Sequence, residues 1–354
     1  MSADNKAKWM CAGGCEGDIV ISTRVRLARN LSDVPFPGTM SDDQAEQVLQ
    51  RVRKVLEPGG ENQETFWRVQ KTSDLSNLER LFLVEQHLIS PVLANSRSAA
   101  VALSSDASVS IMINEEDHLR VQAILPGLEL DKAFELANDC DDVLESALPV
   151  AFHEEYGYLT ACPTNAGTGM RASVMIHLPA LVSSGHIGRV LTAIGQFGLM
   201  ARGLYGEGTQ ATGNVFQISN QVTSGLNEQE ILKNLSSVIS QIVSQERALL
   251  RRMLAREKTK LEDKVYRALG TLQNARILTG QEAMSLLSDL RLGVAAGLLG
   301  DSGSCPLNEL LVSLQPGSLQ HSAGRPLSAG ERDIARADIA RNIVVDRIRE
   351  GDNQ

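Results

Sequence analysis

Arg24 and Arg26 stand two residues apart in Ser22-Thr23-Arg24-Val25-Arg26-Leu27-Ala28-Arg29, so on a strand their guanidinium groups share one face. Planar forks of that kind suit phosphate oxygens, although a solvated edge strand with paired arginines has the same spacing. A second group, Asn114-Glu115-Glu116-Asp117-His118-Leu119-Arg120, packs carboxylates into a turn between two strands. It reads either as a polar turn or as a base and cation holder, with Arg120 facing another phosphate. The third group, Cys162-Pro163-Thr164-Asn165-Ala166-Gly167-Thr168-Gly169-Met170-Arg171, sets a cysteine before a glycine-bearing loop and an arginine after it. Such a thiol is either simply buried or, beside several arginines, reactive.

Two further groups carry charge. In Arg202-Gly203-Leu204-Tyr205-Gly206-Glu207-Gly208 the glycines make a mobile flap or an ordinary surface loop. Glu207 at its tip could close over a cationic substrate. Near the C-terminus, Arg332 and Arg336 lie one helical turn apart beside Asp333, which is either a salt-bridged solvent face or an anion grip. Neither a Walker-type lysine loop nor the H-R-D and D-F-G set occurs.

The elements that must position these groups follow from periodicity and caps. Strands are predicted over Ile19 to Ser22, Ala99 to Leu103, Val109 to Ile113, Leu119 to Leu125, Gly157 to Cys162, Ala172 to Leu178 and Val215 to Ser219. Helices are predicted from Asp42 to Leu56, Leu75 to Ile89 (closed by Pro91), Asp131 to Leu148 and Ile187 to Met200. Asn227 caps a long helical run from Glu228 to about Lys260, and from Thr259 onward the chain reads as helix, broken at Gly280 and by loops over Gly300 to Pro306 and Pro316 to Pro326. The fold class is therefore α+β, an antiparallel or mixed sheet flanked by helices, with an all-α C-terminal domain. Residues 1–17 are expected as a loose arm, 18–254 as the strand-bearing α+β domain and 255–354 as the helical one.

Composition narrows the partners. The 354 residues are 43% hydrophobic, 22% charged and 4% aromatic, with a formal charge of −9. Those values exclude a disordered or fibrous chain and disfavour direct nucleic-acid binding. No run approaches the roughly 18 apolar residues of a membrane span. The acidic N-terminus resembles no targeting segment, so a cytoplasmic location is expected. Five scattered cysteines fit reduced thiols. Cys11 and Cys15 lack a second Cys/His pair at ligand spacing, so no metal site is expected.

Taken together and in order, STRVRLAR, NEEDHLR, CPTNAGTGMRA and RGLYGEGTQATGNVFQISN resemble the catalytic domain of the phosphagen (guanidino) kinases. The resemblance implies that Arg24, Arg26, Arg120, Arg171 and Arg202 cradle the phosphates of ATP, with Mg2+ held by those phosphates and water. It implies that Glu116 and Glu207 clamp the acceptor guanidinium and that Cys162 assists as a thiolate. Nucleotide contacts are carried over to Ser22, Thr23, Val25, Ala172, Ser173, Val174, Met175, Gly203, Leu204, Tyr205, Gly206 and Glu207. His87, a surface or core histidine by its own sequence setting, becomes a nucleotide contact by the same resemblance.

The arginine motif begins close to the start of the chain, where small-molecule phosphagen kinases carry a helical domain first. An all-helical extension follows instead, as in the bacterial branch that phosphorylates arginine side chains within proteins. There the R-D-x-x-R-A pattern, here Arg332, Asp333, Arg336 and Ala337, binds phosphoarginine. The implied partners are misfolded proteins and a heat-shock repressor as substrates, a zinc-containing activator protein, the Clp protease machinery and a second copy in a homodimer. A kinase of free arginine, or a non-catalytic phosphoarginine-binding adaptor, are the competing readings.

Overall fold

The computed structural model describes residues 6–11, 14–57, 67–203, 211–299 and 305–348. In chain order it comprises β1 (Val20–Arg29), α1 (Asp42–Leu56), β2 (Trp67–Lys71), α2 (Asn77–Glu85), α3 (Pro91–Asn95), β3 (Ala100–Ser104), β4 (Val109–Ile113) and β5 (Leu119–Pro126). Next come α4 (Leu130–Ala147), β6 (Phe152–His153), β7 (Gly157–Tyr158), β8 (Met170–His177), α5 (Pro179–Ser183), α6 (Ile187–Gly195), β9 (Leu199–Gly203) and β10 (Val215–Asn220). The rest is helical: α7 (Glu228–Asn274), α8 (Gly280–Ala295), α9 (Cys305–Ser313), α10 (Pro316–Ala323) and α11 (Ala329–Ile348).

Eight of these strands form one sheet in the order β2-β3-β4-β5-β1-β8-β10-β9. Every neighbouring pair is antiparallel, so the fold is α+β as expected. Strand alternation gives the sheet two unlike faces. Val25, Leu27, Val121, Ala123, Ala172, Val174 and Ile218 join one core with residues of α1, α4 and α7. The other face carries Arg24, Arg26, Arg120, Gln122, Arg171, Ser173 and Gln217 in register across β1, β5, β8 and β10.

A second core lies beyond that polar face. Ile21, Ile124, Met175 and Val215 of the sheet pack there with Leu83 of α2, Leu272 of α7, Leu287 of α8 and Leu310 of α9. The C-terminal helices thus share a core with the sheet. Helix α7 runs through Leu254 and breaks at Glu257, whose φ is −137° and ψ is 36°.

Several expectations are corrected, among them the loop over Pro316 to Pro326, where Pro316 instead opens α10 and the chain is helical through Ala323. The N-terminal stretch is packed, not loose, among its described residues. Ala7 and Trp9 are fully buried, and the Trp9 indole donates to the Gln86 carbonyl at 2.9 Å. The second helix stops at Glu85, and Pro91 opens α3 under a Ser90 cap, since proline fits a first helical position. Between the two, His87 takes a left-handed φ of 60°. The helix after Ile187 ends at Gly195, and Met200 belongs to strand β9. Instead of a strand over Gly157 to Cys162 there is a two-residue strand in the β6–β7 hairpin, and Cys162 sits in the loop beyond. Strand β2 was not foreseen, because one strand's pattern rich in charge and amide says little without its neighbour.

Candidate active site

Strand β1 sits between β5 and β8, which places Arg26 opposite Gln122 on one side and Arg171 on the other. Arg24, two residues earlier, faces Ile124 and Ser173. Arg120 lies opposite Ala28 at the far end of β1. Like charges are therefore gathered on one sheet face. Burial lowers the Arg24 guanidinium to about 10, with Arg171 and Arg120 adding repulsion. Arg26 is driven well below its ordinary value, first by burial and then by Arg24, Arg120 and Arg171. Burial also lowers Arg171, with Arg202 and Arg120 contributing. The Nε atoms of Arg26 and Arg171 are buried without a hydrogen-bond partner. Such a cluster is complementary to a polyanion, which would relieve both the repulsion and the unmet donors.

A pocket of about 180 Å³ opens on this cluster, lined by Arg26, Ala28, Glu116, Arg120, Asn165, Gly169 and Arg171. Its acidic wall is the turn between β4 and β5. Arg120 Nη2 donates to Glu116 at 2.8 Å, and its Nη1 contacts Glu115 at 2.5 Å. Ser90 holds the other oxygen of Glu115. Beside this pocket a narrower one is lined by Ser22, Arg24, His87, Ile124, Ser173, Met175 and Gln217. His87 is pushed down to about 3 by burial, with Arg24 adding repulsion, so its ring is neutral at physiological pH.

Asp117 joins the loops. Its Oδ1 accepts from Asn30 Nδ2 at 2.6 Å and from the Ala161 amide at 2.7 Å, tying the acidic turn to the end of β1 and to the residue before Cys162. Burial raises the Asp117 carboxyl despite these donors. His118 accepts from the Leu31 amide through Nδ1, which leaves Nε2 to donate to the Pro35 carbonyl at 3.0 Å. Gly169 has a φ of +64°, and a side chain there would meet the Ala28 carbonyl, so the loop can lie directly on β1. Arg29 fastens the same corner from below. It pairs with buried Asp141 at 2.6 Å, donates to the Thr168 carbonyl and lies 3.4 Å from the Tyr158 ring centre.

The remaining sequence-based residues fall differently. Thr23, Val25, Ala172 and Val174 turn their side chains to the opposite, core face and are fully buried. Arg202 lies on β9 opposite Gln217, exposed and within electrostatic reach of Arg171. Gly203 ends that strand, while Leu204, Tyr205, Gly206 and Glu207 lie outside the described residues. Cys162 is half-buried, with Sγ 3.0 Å from Thr164 Oγ1, and is not itself among the residues lining the main pocket, although its carbonyl accepts from the amide of Asn165, which is. Far from these, Arg336 is buried and donates to the carbonyls of Leu314 and Leu278 and to Asp333. Ala337 is in the core, and Arg332 is half-buried.

Gln122, Asn165, Gln217 and Asp117 were missed at the sequence level. Gln122 had a readable signal, since it follows Arg120 by two on the same strand. Gln217 had none, because its place depends on pairing with Met175 and Arg202.

Residues 47–249 match the family model described as ATP:guanido phosphotransferase, C-terminal catalytic domain. Residues 258–353 match the protein-arginine kinase McsB C-terminal domain. A protein-arginine kinase of Brevibacillus brevis is 49% identical over 336 residues, covering 95% of this chain and 94% of that protein. The chain belongs to the protein-arginine kinases. A relative of the same name from Moorella thermoacetica is 47% identical, across 97% of this chain and 99% of its own. This protein-arginine kinase also shares its fold with lombricine kinase, at a TM-score of 0.59 and 23% identity over 67% of this chain and 69% of that one. The duplicated taurocyamine kinase of Schistosoma mansoni gives 0.55 and 24%, over 66% and 33%. The first family match starts after β1, so Arg24 and Arg26 precede it, and the second starts one residue past the break at Glu257. Among the described residues no helix of this kinase is long and apolar enough to cross a membrane.

Proposed function

We propose that this kinase transfers the γ-phosphoryl group of ATP to the guanidino group of arginine residues in proteins, using the sheet face around β1. The observation that carries the reading is a single pocket lined by Arg26, Arg120 and Arg171 together with Glu116. The guanidinium cluster fits a triphosphate, and Arg24, Arg26, Arg120, Arg171 and Arg202 are assigned to it. Ser22, His87, Ser173, Met175 and Gln217 line the neighbouring pocket and are assigned to the rest of the nucleotide, and the family resemblance adds Gly203, Leu204, Tyr205, Gly206 and Glu207 to the same set. Thr23, Val25, Ala172 and Val174 serve through backbone and packing. Mg2+ would enter with the nucleotide, held by phosphate oxygens and water, which suits a small hard cation.

In the reaction an arginine nitrogen loses its proton to a carboxylate, attacks the γ-phosphorus and forms the N–P bond. The bond from that phosphorus to the bridging oxygen breaks, and ADP leaves. Glu116, with Glu207, aligns the acceptor and takes the proton, and Cys162 helps hold the cation. The arginines neutralise charge as the phosphoryl group moves, which is mostly a positioning and electrostatic task. Engagement of Arg120 by phosphate would release Glu116 for the acceptor.

Residues 18–254 are assigned as the catalytic unit, and 255–354 as the unit that binds phosphoarginine and supports a homodimer. Arg332 and Asp333 offer a cation and an acid for the two halves of phosphoarginine, with Arg336 and Ala337 fixing the helix beneath. The family resemblance further supports a cytoplasmic role in stress response. In that role phosphoarginine marks misfolded proteins for the Clp protease machinery, a zinc-containing protein activates the kinase, and a heat-shock repressor is a substrate. Phosphoamino-acid analysis after incubation with ATP and an arginine-rich protein is the direct test. The reading requires acid-labile phosphate on arginine, and finding only phosphoserine or phosphothreonine would overturn it. Turnover of free arginine matching that of protein would shift the reading to a small-guanidine kinase.

A further inference from the structure

We propose that the β6–β7 hairpin is the surface on which this kinase receives the polypeptide around its target arginine, and that it favours segments carrying further cations. Phe152 and Tyr156 are each 58% exposed, more than any other phenylalanine, tyrosine or tryptophan among the described residues. Their rings are nevertheless held in place. Phe152 meets Tyr158 edge to face at 5.2 Å, and Tyr156 stacks on His153 at 4.8 Å. Tyr158 in turn lies on the buried Arg29 guanidinium, so the hairpin is anchored to the end of β1.

The hairpin also stands beside the pocket. The Tyr158 amide donates to the Gly167 carbonyl at 2.8 Å, and Gly167 lies two residues from both Asn165 and Gly169, which line the pocket. Between the two exposed rings the chain carries Glu154 and Glu155, both exposed, and neither is paired with a cation among the described residues. Aromatic faces interleaved with free carboxylates are complementary to lysine and arginine side chains, through cation–π and charge attraction together. The occupant is therefore a basic, extended stretch of the protein substrate, with its acceptor arginine reaching past Gly169 toward Glu116.

This inference rests on the protein-substrate reading above, and its test separates the two. Full-length enzyme is given ATP and two peptides, each with one central arginine, flanked by alanines in one and by lysines in the other. The wild type is expected to show a KM about tenfold lower for the lysine-flanked peptide. Reversing both charges, Glu154→Lys with Glu155→Lys, is expected to abolish that preference while kcat stays within about twofold. Phe152→Ala with Tyr156→Ala is expected to raise KM for both peptides about equally. A charge-reversed enzyme that keeps its lysine preference overturns the proposal. So does an aromatic double variant with unchanged KM whose dimer falls apart in sedimentation, since the face would then be a subunit contact. If the wild type puts acid-labile phosphate on neither peptide, the protein-substrate reading itself fails.

Discussion

Arg120 donates to Glu116 at 2.8 Å, so the side chain assigned to phosphate and the side chain assigned to the acceptor guanidinium hold each other. Glu116 is 44% exposed on its side chain while Arg120 is 12% exposed, so the acid is the member of the pair open to a second substrate. The arrangement links the two halves of the site: a phosphate that draws Arg120 away frees the carboxylate for the second substrate.

Glu116→Gln keeps the shape and the hydrogen-bond acceptor but loses the negative charge and the proton site. Its kcat is expected to fall by about 10²–10⁴, the range of a lost general base. ATP affinity should change little. Steady-state phosphoarginine formation and an ATP titration check this together, and a variant with near-normal kcat would move the base elsewhere.

Arg171→Met removes one guanidinium from a crowded set of like charges. ATP binding is expected to weaken by on the order of tenfold, as for a lost charge-assisted hydrogen bond. The unliganded protein should melt no lower than the wild type, because the residue is depressed by burial and by neighbouring cations. Calorimetric titration and a thermal melt decide it. A large drop in Tm would make Arg171 a brace through Met200 and Ser219 instead.

Trp9→Ala empties a fully buried site in the core shared by the N-terminal stretch, α2 and the C-terminal helices. A cost of about 3–5 kcal/mol is expected for losing so large a side chain. Denaturant unfolding measures it. Near-neutral stability would mean that the N-terminal stretch is dispensable to this core.

Glu246 of α7 accepts from the amides of Ala180 and Leu181 at the start of α5, yet burial raises its carboxyl from 4.5 to about 7. Its folded pKa lies above the unfolded one, so the folded state holds the extra proton. The resulting contribution is complete below about pH 4.5 and is lost as pH rises through about 7. Glu246→Gln is expected to flatten the fall of stability across that window. Melting curves recorded from pH 5 to 8 test it, and an unchanged slope would assign the dependence to other groups.

Local pattern carried much of this. Alternation alone placed Arg24 and Arg26 on one strand face, and the Asn227 cap marked a real helix start. These features depend on neighbours a few residues apart, so they survive any tertiary arrangement. Strand β9 was hidden because its residues Leu199 to Gly203 continue an apolar helical pattern, and only pairing with β10 makes them extended.

What the sequence by itself determined was the set of charged residues, their strand parity and the α+β class. Tertiary structure alone decided that β1 lies between β5 and β8, bringing Arg26, Arg120 and Arg171 to one pocket from distant segments. It also decided that the N-terminal stretch is core, that Thr23 and Val174 face away from the site, and that Asp117 ties the acidic turn to the Cys162 loop. The physical reason is that parity follows from the backbone of one strand, whereas which strands meet is settled by the cores buried on both faces of the sheet.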